Sequence, residues 1–187
     1  CTQDLKDEEY INSHYVIMAT KKGQVKKTSL EQYSRPRSNG INAITIKEGD
    51  VLLEAKLTTG QSQVVLAVRS GKAIRFEENK TRPMGRNASG VRGIRLADDN
   101  DEVIGMISVN DMDSDILVVS ENGYGKRSKL DDYRMTNRGG KGVKTISVTE
   151  KTGSLVSIKN VSDSDDLMII NKSGIAIRME VESLRVM

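Results

Sequence analysis

The chain of 187 residues contains few aromatic residues: one phenylalanine, five tyrosines and no tryptophan. A large core centred on aromatic side chains is therefore excluded, and apolar contacts must come mainly from valine, isoleucine, leucine and methionine. Proteins that bind single-stranded nucleic acids stack the unpaired bases on aromatic side chains. If the partner is a nucleic acid, this composition favours a duplex over a single strand.

Cysteine and histidine are scarcer still, with one of each. Cys1 cannot form a disulfide within the chain, which is typical of a reducing compartment. The single histidine, His14, does not suffice for a Cys/His zinc site or a Ser/His/Asp triad. The acidic pairs Asp98–Asp99 and Asp165–Asp166 are better explained as polar loops than as cation sites. The sequence therefore predicts no catalytic residue, no metal site and no cofactor in this chain.

Long apolar runs are also missing, and none approaches the length of a membrane-spanning helix or a signal-peptide core. The polar opening CTQDLKDEEY resembles a point inside a longer protein. We therefore expect a soluble cytoplasmic protein that has no membrane partner.

A repeat of about 50 residues organises the chain, a period typical of propeller-like arrays. Four segments share an apolar strand, a polar turn ending in glycine, and a second strand with basic residues: YVIMATKKGQVKKTSLEQY, VVLAVRSGKAIRFEENKTR, ILVVSENGYGKRSKLDDYR and LMIINKSGIAIRMEVESLR. The turn glycines are Gly23, Gly71, Gly123 and Gly174. Since hairpin turns require a positive φ, which glycine adopts readily, each segment predicts a β-hairpin.

A second glycine-containing segment follows each of the first three hairpins: SNGINAITI, ASGVRGIRL and GGKGVKTISV. Gly40, Gly90 and Gly142 occupy equivalent positions in these segments, and another apolar strand follows each one. We interpret each unit as four short strands that form one antiparallel blade, and no long stretch has helical periodicity. The predicted fold is all-β, an array of three blades plus the first hairpin of a fourth. The predicted bounds are 1–13 for a remnant of a preceding blade, 14–60, 61–112 and 113–162 for blades, and 163–187 for the incomplete blade.

The charges follow the same repeat, although the net charge is only +3. Basic residues concentrate in the hairpins and loops, whereas the connecting segment ADDNDEVIGMISVNDMDSD contains seven acidic residues and no lysine or arginine. A single basic run usually marks a solvated face. Three units with the same phase favour a basic rim, as a polyanion wrapped along a curved surface requires. We therefore predict duplex DNA as the partner.

The predicted DNA contacts are basic residues of the hairpins and loops. They are Lys26, Lys27, Arg35, Arg37, Arg75, Arg82, Arg86, Arg92, Arg95, Lys126, Arg127, Arg134, Arg138, Lys141 and Lys144. Because alternate residues of a strand face opposite sides, we expect roughly half of them to contact DNA. Phosphate contacts carry no sequence information, so binding should be largely non-specific.

The stretch TNRGGKGVKTI, residues 136–146, could be a phosphate loop or a basic turn. A nucleotide-binding loop needs G-x-x-x-x-G-K-[ST] before a helix, but here Gly142 follows Lys141 and a strand follows both. As a turn, its glycines let the backbone approach a phosphate closely. We therefore assign a conformational role to Gly142 and DNA contacts to Arg138 and Lys141.

Four stretches, MATKKGQVKKTSL, RPMGRNASGVRGIRL, NGYGKRSKLDDY and TNRGGKGVK, resemble the C-terminal domain of the DNA gyrase A subunit, collinearly from about Tyr15 to Met187. The resemblance implies a β-pinwheel, usually six-bladed, in which neighbouring blades exchange strands. It also implies that the domain wraps double-stranded DNA around its basic rim, so that a bacterial ATP-dependent type II topoisomerase introduces negative supercoils. The partners implied are the remainder of DNA gyrase A and the whole of DNA gyrase B, which use ATP and Mg²⁺ elsewhere in the holoenzyme.

One feature departs from the family pattern. The family's Q-R-R-G-G-K-G box normally lies in the first blade, whereas TNRGGKG has Thr136 and Asn137 in the first two positions and lies in a late blade. We therefore expect the segment Arg138 to Gly142 to be a secondary contact, in a chain that covers roughly blades three to six. Open strand edges at both ends predict self-association of such a partial pinwheel.

Other functions remain open at this stage. The equivalent domain of the topoisomerase IV A subunit is the nearest alternative, and a propeller that binds protein partners is another. An enzyme that acts on sugars or nucleotides would need a carboxylate or histidine constellation, and we find none in the sequence. Tyr33 and Tyr133 occupy equivalent positions and are better explained as packing residues than as DNA-linking nucleophiles.

Overall fold

The computed structural model describes residues 7–187, so Cys1 lies outside the described residues. Within that range the chain forms thirteen β-strands and one α-helix. The strands are β1 (Tyr15–Thr20), β2 (Gln24–Ser29), β3 (Leu52–Thr58), β4 (Gln63–Val68), β5 (Lys72–Glu77), β6 (Val91–Arg92), β7 (Val103–Val109), β8 (Asp115–Ser120), β9 (Gly125–Lys129), β10 (Val143–Lys144), β11 (Leu155–Val161), β12 (Asp166–Ile170) and β13 (Ala176–Glu180). The all-β prediction is confirmed.

The helix α1 (Glu8–Ser13) was not predicted. Asp7 precedes it, and its carboxylate accepts hydrogen bonds from the backbone N–H groups of Glu9 and Tyr10. This side-chain cap satisfies N–H groups that have no partner within the helix. The part of 1–13 that the structure describes is therefore mainly helical rather than a strand of a blade.

The four hairpins have the predicted turns. In each, the turn glycine donates its N–H to the carbonyl three residues earlier; in the first hairpin this bond joins Gly23 to Thr20 at 3.1 Å. All seven predicted structural glycines have a positive φ, between 75° and 90°. The antiparallel sheets have the strand orders β3-β1-β2-β6, β10-β5-β4-β7, β11-β8-β9 and β12-β13.

Neighbouring units exchange strands, so a four-stranded sheet draws on two units. The short strand β6 belongs to the second unit but pairs with β2 of the first, and β10 of the third unit pairs with β5 of the second. The glycines allow this close approach: a Cβ atom on Gly90 would lie 2.5 Å from the Val25 carbonyl oxygen, and one on Gly142 would lie 2.5 Å from that of Ala73. The four-stranded antiparallel blade is therefore confirmed, with the strand exchange that the family resemblance implies: each four-stranded sheet takes one short strand from the following unit.

The core lies between neighbouring blades. Residues Val64 and Leu66 of β4 contribute to the cluster shared with the first unit, whereas Val65 and Ala67 contribute to the cluster shared with the third. Both faces of this strand are therefore buried, which explains its continuous apolar sequence QVVLAV.

A short 3₁₀ turn follows each hairpin and begins with a fully or nearly fully buried residue. These turns are Leu30–Tyr33, Glu78–Lys80, Leu130–Asp132 and Val181–Ser183. In the second unit the buried position is occupied by an acidic residue, Glu78, where the other units have leucine or valine. The basic loops start directly after these turns.

Candidate nucleic-acid interface

Eleven of the fifteen predicted DNA contacts reach the surface. The exposed ones are Arg35, Arg37, Arg82, Arg92, Arg95, Arg134, Lys141 and Lys144. The half-buried ones are Arg86, Lys126 and Arg138. These residues lie mainly in the segments that follow the 3₁₀ turns, and not in the hairpins themselves.

Four predicted contacts are buried, so the prediction is wrong for them. Lys26, Lys27, Arg75 and Arg127 are 0%, 4%, 7% and 5% exposed. All four lie on the second strand of a hairpin, which the following unit covers. Their charged groups bind protein carbonyls and side chains instead of solvent, so they are not available to a phosphate.

Lys26 shows how such a cation is accommodated. Its Nζ donates to the carbonyl oxygen of Ala43 at 2.6 Å and to that of Arg86. Burial lowers the pKa of Lys26 to about 8, and the nearby charge of Arg86 acts in the same direction. The side chain therefore ties together two loop segments that carry exposed arginines.

The second and third units present matched loops, residues 82–92 and 134–144, which we call the outer loops. Each begins on the preceding blade: the N–H of Met84 donates to the Lys27 carbonyl at 2.7 Å, and that of Thr136 donates to the Arg75 carbonyl at 2.9 Å. Equivalent positions of the two loops carry the pairs Arg82 and Arg134, Arg86 and Arg138, and Arg92 and Lys144. The exposed charges therefore repeat from one blade to the next.

The box-like segment is anchored on the second unit. The Nε of Arg138 donates to the Lys80 carbonyl at 3.0 Å, and its Nη1 donates to the Arg92 carbonyl at 3.1 Å. The N–H of Gly139 also donates to the Gly93 carbonyl, at 2.6 Å. A guanidinium has five N–H donors, so three remain for a ligand. Arg138 therefore both fixes the loop and leaves donors at the surface.

Cations from two units also meet beside this segment. Lys72, Arg95 and Lys141 line a cavity of about 400 Å³ together with Asp101. Asp101 accepts hydrogen bonds from the backbone and hydroxyl of Ser70 and from the N–H of Ala97, which shows that its role is to hold the loop. The cavity is therefore the point at which the basic surfaces of the second and third units become continuous.

Arg185 was not among the predicted DNA contacts. It is exposed and immediately precedes Val186, which forms a bridge with Arg127. In the earlier units, Arg82 and Arg134 likewise immediately precede the bridging residues Pro83 and Met135. The sequence contained a signal for Arg185, because an arginine occurs at this same position of three successive units.

The two tyrosines at equivalent positions hold the glycine segments of their own units. Tyr133 is buried, and its hydroxyl forms a hydrogen bond with the hydroxyl of Thr145. Burial raises the pKa of Tyr133 above its ordinary value. The Tyr33 hydroxyl donates to the Ala43 carbonyl at 2.9 Å. Both contacts are structural, which agrees with the interpretation of these tyrosines as packing residues.

Two of the acidic residues between units are also buried within the fold. Asp115 is 1% exposed and accepts a hydrogen bond from the Nε of Arg127 at 2.8 Å. Asp101 is largely buried as well.

Of the described residues, none belongs to a helix that is long and apolar enough to cross a membrane.

Comparison with known proteins supports a specific family. The model of the family described as the DNA gyrase C-terminal domain, beta-propeller, matches residues 14–59, 64–110, 114–162 and 165–187. The chain is 42% identical to the DNA gyrase A subunit of Staphylococcus epidermidis over 183 residues, and 42% identical to that of Staphylococcus aureus over 184 residues. These alignments cover 97% of this chain and 20% of each relative, so the chain spans one fifth of the length of these curated relatives.

Solved structures show the same architecture. The C-terminal domain of DNA topoisomerase IV superimposes with a TM-score of 0.87 at 24% identity, covering 94% of this chain and 55% of that one. The C-terminal domain of DNA gyrase A superimposes with a TM-score of 0.78 at 25% identity, covering 91% and 57%. The fold is thus common to both, whereas the family model and the sequence identity select gyrase. This chain belongs to the DNA gyrase C-terminal domain family.

Proposed function

We propose that the chain binds duplex DNA without sequence preference along its outer loops and bends it. One observation carries the proposal: exposed cations recur at equivalent positions of successive units, as Arg82, Arg134 and Arg185 do. Independent surface charges have no physical reason to keep the register of the blades. A polyanion that follows the curved array would meet a cation at every blade.

The energetics fit a wrapped duplex. Bending DNA through tens of degrees costs on the order of 1–6 kcal/mol, which phosphate contacts must offset. Each neutralised phosphate releases counterions and lowers the slope of log affinity against log salt by about 0.9. If roughly half of the surface cations engage, about six contacts give a slope near −5.

In the whole protein, we infer that this wrapping supports ATP-dependent negative supercoiling by a bacterial gyrase. The partners would be DNA, the remainder of the gyrase A subunit, and the gyrase B subunit, in the bacterial cytoplasm with the chromosome. The 42% identity to the gyrase A subunit supports this inference. ATP and Mg²⁺ would be used by other parts of that holoenzyme, and this chain would contribute no catalytic residue.

The topoisomerase IV alternative rests on the shared fold, with a TM-score of 0.87 to a domain of that enzyme. The two functions differ in one measurable respect: gyrase introduces negative supercoils into relaxed plasmid with ATP, whereas topoisomerase IV relaxes supercoiled DNA. We expect the full-length protein, with its partner subunit, to introduce them. Relaxation alone would select the alternative.

The binding experiment measures fluorescence anisotropy of a labelled duplex of about 40 base pairs across a salt series. Arg134→Ala and Lys141→Ala should each make the slope about one contact shallower. Arg69→Ala and Lys159→Ala are matched controls, because Arg69 and Lys159 are exposed but lie outside the outer loops. Equal effects of variants and controls would show that net charge, and not the outer loops, determines binding. No binding by the wild type at low salt would refute the proposed function.

We also propose that the chain self-associates through its last hairpin. Met168, Ile170, Ile175 and Ile177 of this hairpin are between 55% and 69% exposed. Among the described residues, β12 and β13 pair only with each other. Light scattering should show a concentration-dependent mass that Ile177→Lys reduces, and a constant monomer mass would contradict this.

A further inference from the structure

A cation stands four residues after the turn glycine in every hairpin: Lys27, Arg75, Arg127 and Arg178. In the first three hairpins it is buried and contacts the 3₁₀ turn of the following unit. We call Lys27, Arg75 and Arg127 the inter-blade cations. They are among the residues that the sequence assigned to DNA, so their charge needs another explanation.

Arg75 shows the arrangement most fully. Its Nη1 donates to the Leu130 carbonyl at 2.8 Å and to the Tyr133 carbonyl at 3.0 Å, both in the turn region of the third unit. Its Nε donates to the side chain of Gln63 at 2.7 Å, twelve residues earlier on the paired strand. The guanidinium therefore has one side held by its own blade and the other holding the next blade.

The other two inter-blade cations repeat this geometry with different partners. The Nη1 of Arg127 donates to the Val181 carbonyl at 2.8 Å, and its Nε donates to Asp115, again twelve residues earlier. The Nζ of Lys27 lies 3.1 Å from the Glu78 carboxylate and 4.3 Å from the centre of the Tyr15 ring. Lys27 thus contacts the next turn through a carboxylate. Arg75 and Arg127 donate to turn carbonyls and also contact a carboxylate of the next unit, that of Asp131 and that of Asp163 respectively.

The main chain of each inter-blade cation binds the next unit a second time. The Lys27, Arg75 and Arg127 carbonyls accept hydrogen bonds from the N–H groups of Met84, Thr136 and Met187 at 2.7, 2.9 and 2.8 Å. The exposed arginine of the next unit lies between the two attachment points. In the third unit, Arg134 is bracketed by the Tyr133 carbonyl and the Thr136 N–H, both bound to Arg75.

We propose that the inter-blade cations are positioning residues for DNA binding: Lys27, Arg75 and Arg127 fix the exposed arginines Arg82, Arg134 and Arg185 of the next unit. The inference rests on the proposed function, since it concerns how the same surface is held in place. Each blade would then contain one buried cation that positions one exposed cation of the next unit. The period of the fold and the spacing of phosphate contacts are thereby linked.

A buried cation serves this purpose better than an apolar side chain. Burying a charge is costly, so it stabilises the fold less than its contacts suggest, but it does impose a defined geometry. A planar guanidinium that donates to two carbonyls fixes two points of a turn, whereas a methionine would leave both carbonyls without this donor. We therefore explain the buried arginine or lysine by its effect on the geometry of the next turn, and not by a gain in stability.

The test is a double-mutant cycle on DNA affinity in this chain, using Arg75→Met, Arg134→Ala and the double variant. Each phosphate contact changes log affinity by about 0.9 for a tenfold change in salt. Relative to 1 M salt, one contact therefore raises the affinity at 0.1 M salt about eightfold. We expect Arg134→Ala to weaken binding to a duplex of about 40 base pairs roughly eightfold in the wild type and less than about twofold in the Arg75→Met background. Arg69→Ala should weaken binding by the same factor in both backgrounds.

Additive losses in the cycle would overturn the proposal, because Arg75 would then act on stability alone. Equal changes for Arg134→Ala and Arg69→Ala would overturn it as well. Should Arg75→Met fail to fold by circular dichroism, Gln63→Leu replaces it, since it removes only the support of the Nε and leaves the cation in place. Wild-type protein that does not bind DNA would refute the proposed function itself, which separates the two failures.

Discussion

Replacing Lys27 by methionine would leave the Glu78 carboxylate buried without its cation. The two side chains are 5% and 0% exposed, and the Nζ lies 3.1 Å from the carboxylate. Glu78 also accepts hydrogen bonds from the Thr58 hydroxyl at 2.6 Å and from the Ser62 N–H at 3.2 Å. These neutral donors do not compensate a full negative charge in a buried site, so the carboxylate depends on Lys27. Because Lys27 belongs to the first unit and Glu78 to the second, the ion pair also joins these two blades.

The expected loss is large. Removing one partner of a buried ion pair typically costs about 3–5 kcal/mol. Domains are usually stable by only about 5–15 kcal/mol, so Lys27→Met should remove roughly a fifth or more of the free energy of unfolding. Adding Glu78→Gln removes the uncompensated charge. Its one carbonyl oxygen can still accept from the Ser62 N–H, and its NH2 group can donate to the Thr58 hydroxyl. The double variant should therefore recover most of the loss.

Urea denaturation followed by far-ultraviolet circular dichroism measures these differences, because the chain has no tryptophan. The matched control is Lys56→Met, since Lys56 and Glu54 form an equally short pair at 3.1 Å but are 39% and 30% exposed. Exposed pairs contribute about 0–1 kcal/mol, so the control should be nearly neutral. A loss below about 1 kcal/mol in Lys27→Met, or no recovery in the double variant, would refute the reasoning.

Two further predictions concern the loop attachments. The pKa of Lys26 lies near 8 in the folded chain and near 10.5 in the unfolded one, so the unfolded state binds more protons between these values. The contribution of Lys26 to stability should therefore rise as pH increases from 8 to 10.5. The urea midpoint of Lys26→Met should lack that rise. Parallel plots of urea midpoint against pH for the wild type and the variant would contradict the prediction. Gly142→Ala should cost about 1–3 kcal/mol, because φ is +75° and a Cβ atom would meet the Ala73 carbonyl at 2.5 Å. Gly85→Ala, with nothing within 4 Å, is the control, and equal thermal midpoints for the two variants would contradict the close approach.

Much of the fold could be predicted because its signals are local. Gly23, Gly71, Gly123 and Gly174 mark their hairpins through a backbone conformation that the neighbouring residues do not alter. The repeat of these hairpins then predicts an array of blades. The outer loops were also predictable as basic segments, and Arg185 was overlooked although the repeat contained it.

Side-chain environment was not predictable in the same way. Lys126 and Arg127 are adjacent, yet the first reaches the surface and the second is buried against Val181, more than fifty residues later in the chain. The Arg127 side chain is also held by Asp163, which chiefly raises its pKa, and by Asp115. The place four residues after the turn glycine does not settle the matter either, because Arg178 shares this place with Arg127 and is exposed.

The sequence by itself determined the hairpins, the period of the array and the segregation of charge, because turn conformation and strand periodicity depend on residues close together in the chain. The tertiary structure alone decided which strands share a sheet and which cations are buried. Those outcomes depend on what covers each face, and here the covering segment comes from the following unit. Arg75 and Arg134 illustrate the difference: one buried and one exposed, they are joined through a turn that only the folded array brings beside β5.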